Sequence, residues 1–356
     1  MGAFNIGVTT VITSNAEYIH ESFDRTGITT ESNYSMYASN EPSTPGVGVQ
    51  SMNFGWDVAV GETKAVFGSQ GGGSNATAGK VWITDLEGSE EQYITGSSVN
   101  RFGSAVAIGS SVVVIGERWY NSSQGRVHLY TSSGSSIKTI TASDGGSGRE
   151  FGTSVAIGHG KIVVGSKLDD IDGNSNIGSA YIFDKTGYEL KKLTASDGAA
   201  GDRFGYSVAI GCGKIVVGSD TAESAYVYDL QGENEIILTS PDGSSGDQFG
   251  FSVAAGYGYI AVGAKSHTSS GNYQGAVYLY DTRGNFIKKL TQSGNDPDAQ
   301  FGYSVSIGCG KIVVGSPGSE GGSKSNDSGD VYIYNIPETS DTYWESVLET
   351  LNWKFS

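Results

Sequence analysis

A Phe–Gly word recurs along the chain. It stands at Phe54–Gly55, Phe102–Gly103, Phe151–Gly152, Phe204–Gly205, Phe249–Gly250 and Phe301–Gly302, at intervals of 48, 49, 53, 45 and 52 residues. A unit of that length suits one four-stranded sheet and is too long for most helical repeats. The copies agree well beyond the word itself: DRFGYSVAIGCGKIVVGS starts at Asp202 and AQFGYSVSIGCGKIVVGS at Ala299. A unit this short cannot bury its apolar face alone, so consecutive units must complete each other's core.

Each unit divides into four strand candidates. In the copy at 204–210, FGYSVAI, a period of two sets Phe204, Tyr206, Val208 and Ile210 on one face and Gly205, Ser207 and Ala209 on the other. The run KIVVGS at 214–219 is β-branched and continuous, as in a strand covered on both faces. The bend between the two has room only for a hairpin. A third strand, AYVYD at 225–229, ends in a DLQG turn, repeated as DKTG at 184–187 and DTRG at 281–284. There Asp accepts from nearby backbone N–H groups and Gly takes a positive φ. The fourth strand, ELKKLTA at 189–195, carries lysines suited to an outer edge. Strands that pass from buried and small to charged and wet follow the order from axis to rim of a propeller blade. The expected fold is all-β: a β-propeller of four-stranded antiparallel blades.

Composition narrows the partners. Gly accounts for 54 of 356 residues without a three-residue period, which excludes collagen and points to many turns. The 22 basic and 38 acidic residues give a net charge of −16, with no basic cluster in the sequence. No nucleic-acid partner and no membrane insertion are expected, because a phosphate groove needs basic residues and no apolar run is long enough to span a bilayer. The N-terminal stretch MGAFNIGVTTVITSN lacks the basic start and long apolar core of a secretion signal. Cys212 and Cys309 occupy the same slot in two non-adjacent copies and read as free thiols.

The words FG…SVAI…IVVGS…AYVYD resemble the FG-GAP repeat of integrin-alpha-type propellers, and more closely the bacterial and viral branch with its LTASDG…GDRFGYSVAI wording. The resemblance covers about residues 54–335. It implies a propeller, usually of seven blades, serving adhesion or recognition more often than catalysis. Its calcium loop does not carry over: GCGK at 211–214, GHGK at 158–161 and GYGY at 256–259 offer no carboxylate cage. A single propeller domain is expected, with 54–335 forming six repeats, 1–53 a degenerate blade or closure and attachment segment, and 336–356 a closing strand or tail. Seven blades are favoured over six, because FDRTG at 23–27 matches FDKTG at 183–187 and closure commonly mixes both chain ends.

No catalytic set stands out. The four histidines fall in different slots, no GxSxG word occurs, and the Gly-rich segment at 68–79 lacks the lysine of a phosphate loop. The chain is expected not to be an enzyme and to need no cofactor. In LDDIDGNSNIG, residues Asp170, Asp172 and Asn174, with Asp169 and Asn176, are candidates for a Ca²⁺ loop, but a plain acidic turn is preferred. The long loops after the second strand, at 70–79, 117–125, 167–178, 265–275 and 317–329, share one face of the ring. Their Ser and Asn side chains, with Trp119, Tyr120 and Tyr273 as a candidate ligand face, suit recognition.

The function expected is a non-enzymatic structural and recognition propeller. The favoured setting is a phage virion, as a tail, fibre or baseplate-associated component touching other proteins of the assembly or a surface glycan. The alternatives are a secreted, extracellular or cell-surface bacterial adhesin or lectin-like module, and a carbohydrate-active enzyme.

Overall fold

The computed structural model describes residues 32–34, 54–71, 78–86, 91–97, 99–269, 272–292, 297–319 and 329–336. Six four-stranded antiparallel sheets account for about half of them, and turns and loops for most of the rest. Blade 1 runs Phe54–Val60, Lys64–Ser69, Lys80–Asp85, Glu91–Thr95, and blade 2 runs Phe102–Ile108, Val112–Glu117, Arg126–Thr131, Ser136–Ile140. Blade 3 follows at Ser154–Gly158, Lys161–Ser166, Ser179–Asp184 and Glu189–Leu193. Blade 4 is Ser207–Gly211, Lys214–Ser219, Ser224–Asp229 and Ile236–Thr239. Blade 5 is Phe249–Gly256, Tyr259–Ala264, Ala276–Asp281 and Phe286–Leu290, and blade 6 begins Ser304–Gly308, Lys311–Ser316, Asp330–Asn335.

The fourth strand of blade 6 comes from the other end of the chain. Ser32–Tyr34 pairs antiparallel with the third strand, Asn33 opposite Tyr332. The preference for seven blades is not met by the described residues: they build six sheets, and the N-terminal strand completes the sixth instead of starting another. The remaining expectations for 1–53, and that of a closing strand beyond Ile336, fall on residues outside those described.

Successive first strands face one another, and each apolar cluster joins two neighbouring sheets. Val163, Ile182 and Leu193 of blade 3 pack with Phe204, Ile215 and Tyr226 of blade 4. Five of the Phe–Gly phenylalanines, Phe102, Phe151, Phe204, Phe249 and Phe301, are fully buried in these seams. Four of them meet the first tyrosine of the third strand edge-on, as in Phe204–Tyr226 with centroids 5.0 Å apart. Such edge-to-face pairs add to the burial of both rings.

The glycine of the word has a backbone reason. Gly205 has φ +88°, and a Cβ there would lie 2.2 Å from the Ser179 carbonyl oxygen of the preceding blade. Only glycine accepts both the left-handed backbone and that approach. Its own carbonyl accepts from the Ser154 hydroxyl of blade 3 at 2.9 Å, and Gly250 and Gly302 repeat this with Ser207 and Ser252. Between blades 6 and 1 the pattern is not repeated among the described residues. A Cβ on Gly315 would meet only Ser304 of its own strand, Gly55 has nothing within 4 Å, and the Ser304 hydroxyl is buried without a partner.

The same word breaks the expected alternation. In blade 5 the register shifts between Phe249 and Ser252. The bulge turns the residue after Phe–Gly away from the seam, so Tyr206 does not share a face with Phe204. It packs instead on Phe251, the equivalent residue of the next blade, at 5.0 Å. The turns are as expected: Asp229 Oδ1 accepts from the backbone N–H groups of Gln231 and Glu233, and Gly232 has φ +76°. The fourth-strand lysines do more than keep an edge wet. Lys138 and Lys191 donate to the carbonyls of Gly187 and Gly232 in the next blade, at 2.7 and 2.8 Å.

Candidate functional site

First and second strands are antiparallel, so the start of every first strand and the end of every second strand lie at the same end of the axis, where the long loops also emerge. Two positions of the repeat therefore form a mouth around the axis. After Phe–Gly come Trp56, Ser104, Thr153, Tyr206, Phe251 and Tyr303, and after the second strand come Gln70, Arg118, Lys167, Asp220, Lys265 and Pro317. A third set stands just before Phe–Gly: Arg101, Glu150, Arg203, Gln248 and Gln300 all have positive φ, between 53° and 64°. Left-handed backbone is unusual for such side chains, and its recurrence at one place marks a constrained, chemically loaded rim.

Around blades 4 to 6 the rim is aromatic and capped by lysine. Phe251 touches Tyr206 on one side and Tyr303 on the other, each at 5.0 Å. The Lys265 ammonium lies 4.1 Å from the Phe251 centroid and 5.3 Å from that of Tyr303, and Lys167 stands 5.2 Å from the Tyr206 ring. Between the two lysines sits Asp220, almost fully buried, with Arg203 at 3.6 Å. Burial pushes the Asp220 carboxyl above its usual range, against the pull of Arg203, Lys167 and Lys265. Burial likewise lowers both lysines, and Arg118 and Arg203 push Lys167 down further. The Tyr206 phenol is raised by burial first, with Asp220, Tyr303, Arg118 and Arg203 also acting on it.

Toward blades 2 and 3 the rim is held by Glu150. It accepts from the Trp119 indole at 3.1 Å and faces Lys167 at 3.3 Å and Arg118 at 3.8 Å. Arg101 lies 4.3 Å from the Trp119 centroid and donates to the Gly71 carbonyl, and Arg118 reaches Gln70. The Nε atoms of Arg101 and Arg118 are buried without a partner.

Of the candidate ligand face, Trp119 belongs to this mouth and is 40% exposed. Tyr120 does not join it: Arg126 lies over its ring at 3.7 Å, and Arg126 in turn bonds the buried Glu117. Tyr273 is exposed on the small hairpin of Thr268–Ser269 with Asn272–Tyr273 in blade 5. The acidic loop of blade 3 folds on itself, Ile171 and Asn174 exchanging backbone hydrogen bonds. Asp170 accepts from the Asn176 backbone N–H, while Asp172 and Asn174 are exposed. Asp169 is spent elsewhere, buried against Arg149, Ser179, Tyr181 and Lys192. Among the described residues no three His, Cys, Asp or Glu side chains are grouped to hold a metal ion.

At the opposite end of the axis the first hairpins turn on pairs such as Cys212–Gly213 and His159–Gly160, with φ of 51° and 69°, and 50° and 71°. Two left-handed residues make the tight type I′ hairpin. Cys212 and Cys309 form no disulfide, and Cys212 Sγ accepts from the Gly258 backbone N–H at 2.9 Å.

The mouth residues were not singled out from the sequence, although a signal existed. Arg118, Lys167, Asp220 and Lys265 hold one slot of the repeat at spacings of 49, 53 and 45 residues. Read along the chain they are isolated charges, and read down the repeat they form a ring.

The FG-GAP repeat family matches the chain four times, over residues 135–183, 188–228, 233–280 and 285–334, somewhat more than half its length. No curated protein matches it. Each matched unit opens on the fourth strand of one blade and closes on the third strand of the next, the same offset that lets Ser32–Tyr34 complete blade 6. The chain belongs to the FG-GAP repeat family, and its fold is a β-propeller of four-stranded antiparallel blades.

Proposed function

We propose that the protein is a non-enzymatic recognition module that presents the loop-bearing end of its axis to a partner. The observation that carries this reading is the mouth itself: half-buried rings and cations contributed by several blades and fixed by the seams, with exposed Trp119 beside them. Rigid aromatic groups with fixed polar neighbours favour binding, because little freedom is lost when a partner docks. A propeller holds such groups without needing them for its core, so they are free to vary with the partner.

The setting we favour is a phage virion, as part of a tail, fibre or baseplate. Its support is compositional: a chain rich in Gly, Ser, Asn and Tyr, with 2 Cys in 356 residues, resembles such proteins. Antibodies against the purified chain should decorate intact particles in negative stain. Finding the chain free in the medium and absent from particles would favour a secreted adhesin instead. Absence of catalysis is checked at the same time, since glycans bound by the chain should be recovered unchanged in mass.

A further inference from the structure

The charge of the mouth runs against that of the chain. The protein carries a net charge of −16, yet here, among the described residues, the ion pairs of Arg101, Arg118, Lys167, Arg203 and Lys265 run to two carboxylates, Glu150 and Asp220. Lys265 forms no ion pair within 4.0 Å among the described residues, and Arg101 binds a backbone carbonyl. Surplus cations in a half-buried ring are costly unless an anion completes them. The two buried Nε donors of Arg101 and Arg118 point the same way, since a native structure leaves few such groups unpaired.

We propose that this mouth is a binding site for acidic saccharides, with Lys265, Lys167 and the neighbouring arginines taking the carboxylate and the rings of Tyr206, Phe251 and Tyr303 packing on the apolar face of the sugar. The inference rests on the recognition reading above and names its ligand class. A carboxylate supplies the missing counter-charge through charge-assisted hydrogen bonds. The rings supply the flat area that a hydrated inorganic anion would not use. The net negative charge of the chain opposes long polyanions such as nucleic acid, whereas a short oligosaccharide reaches the mouth with only a few charges.

Titration calorimetry on the full chain tests this with trigalacturonate and sialyllactose as acidic probes, maltotriose as a neutral one and sulfate as a bare anion. The acidic saccharides should bind and maltotriose should not. Lys265→Met and Lys167→Met should each weaken binding about tenfold, the loss of one charge-assisted contact. Lys265→Arg should retain it, and Lys185→Met, on an exposed turn, should leave it unchanged. Thermal melts of every variant separate lost binding from lost folding. Sulfate binding as tightly as the saccharides would overturn the proposal. So would maltotriose binding equally well, or no effect of Lys265→Met in a folded protein. Binding to neutral glycans or to particle proteins alone would overturn the acidic-saccharide site and leave recognition standing. No binding to any glycan, cell or particle protein would overturn both.

Discussion

Single residues carry the seams. A Cβ on Gly218 would lie 2.1 Å from the Gly250 carbonyl oxygen, whereas on Gly315, the same slot in blade 6, it would meet only a serine side chain. Gly218→Ala should therefore cost about 1–3 kcal/mol in chemical denaturation, and Gly315→Ala clearly less. Two carboxyls should respond to acid with opposite sign. Asp242 is disfavoured by burial, but hydrogen bonds from Lys289 and Tyr278 dominate and hold it at about 2, below the usual 3.8. Its contribution is present above the ordinary carboxyl pKa and is lost as the pH falls toward 2. Asp57 is raised to about 6 by burial, which outweighs the backbone donors Val106 and Val58. The folded state then holds a proton that the unfolded chain releases, so this group adds stability as the pH falls from above 6 to about 4. Urea melts across that range should show wild type gaining on Asp57→Asn as acid is added, and losing on Asp242→Asn below pH 4.

Elements were the most legible level of the sequence. The second-strand words KIVVGS became strands whose valines and isoleucines are fully buried, and the third strands fell within a residue of their expected bounds. Asp144, Asp197 and Asp242, each seven residues before a Phe–Gly word, accept the hydroxyls of Tyr181, Tyr226 and Tyr278. Periodicity could give their constancy but not that partner, which depends on a strand some 29 to 37 residues away. Alternation failed where the Phe–Gly bulge intervened, because a left-handed glycine shifts every later side chain by half a period. The N-terminal strand was the hardest element to place. Ser32–Tyr34 carries no repeat word, and its partner lies at the other end of the chain. Removing residues 1–36 should bare the edge of Asp330–Asn335. Faster amide exchange through that strand and a concentration-dependent loss of soluble protein are the expected readouts.

At the scale of the whole molecule, the propeller turns a repeated sequence into a ring, and the ring gathers distant residues at its axis. That is why the mouth escaped a reading along the chain: no two of Arg118, Lys167 and Lys265 are close in sequence, and nothing local marks the left-handed Arg101, Glu150 and Arg203 before Phe–Gly. If charge surplus drives binding, affinity for an acidic saccharide should fall with added salt, by a factor that shrinks in Lys265→Met. The most direct measurement of where the protein meets its ligand is a hydrogen-exchange footprint on the full chain with and without trigalacturonate. Protection should fall on Arg101, Glu150, Arg203 and Gln248 just before Phe–Gly and on Arg118, Lys167, Asp220 and Lys265 just after the second strand, all at the loop-bearing end of the axis. Protection confined to the outer strands, or to the hairpins at the opposite end, would contradict the account.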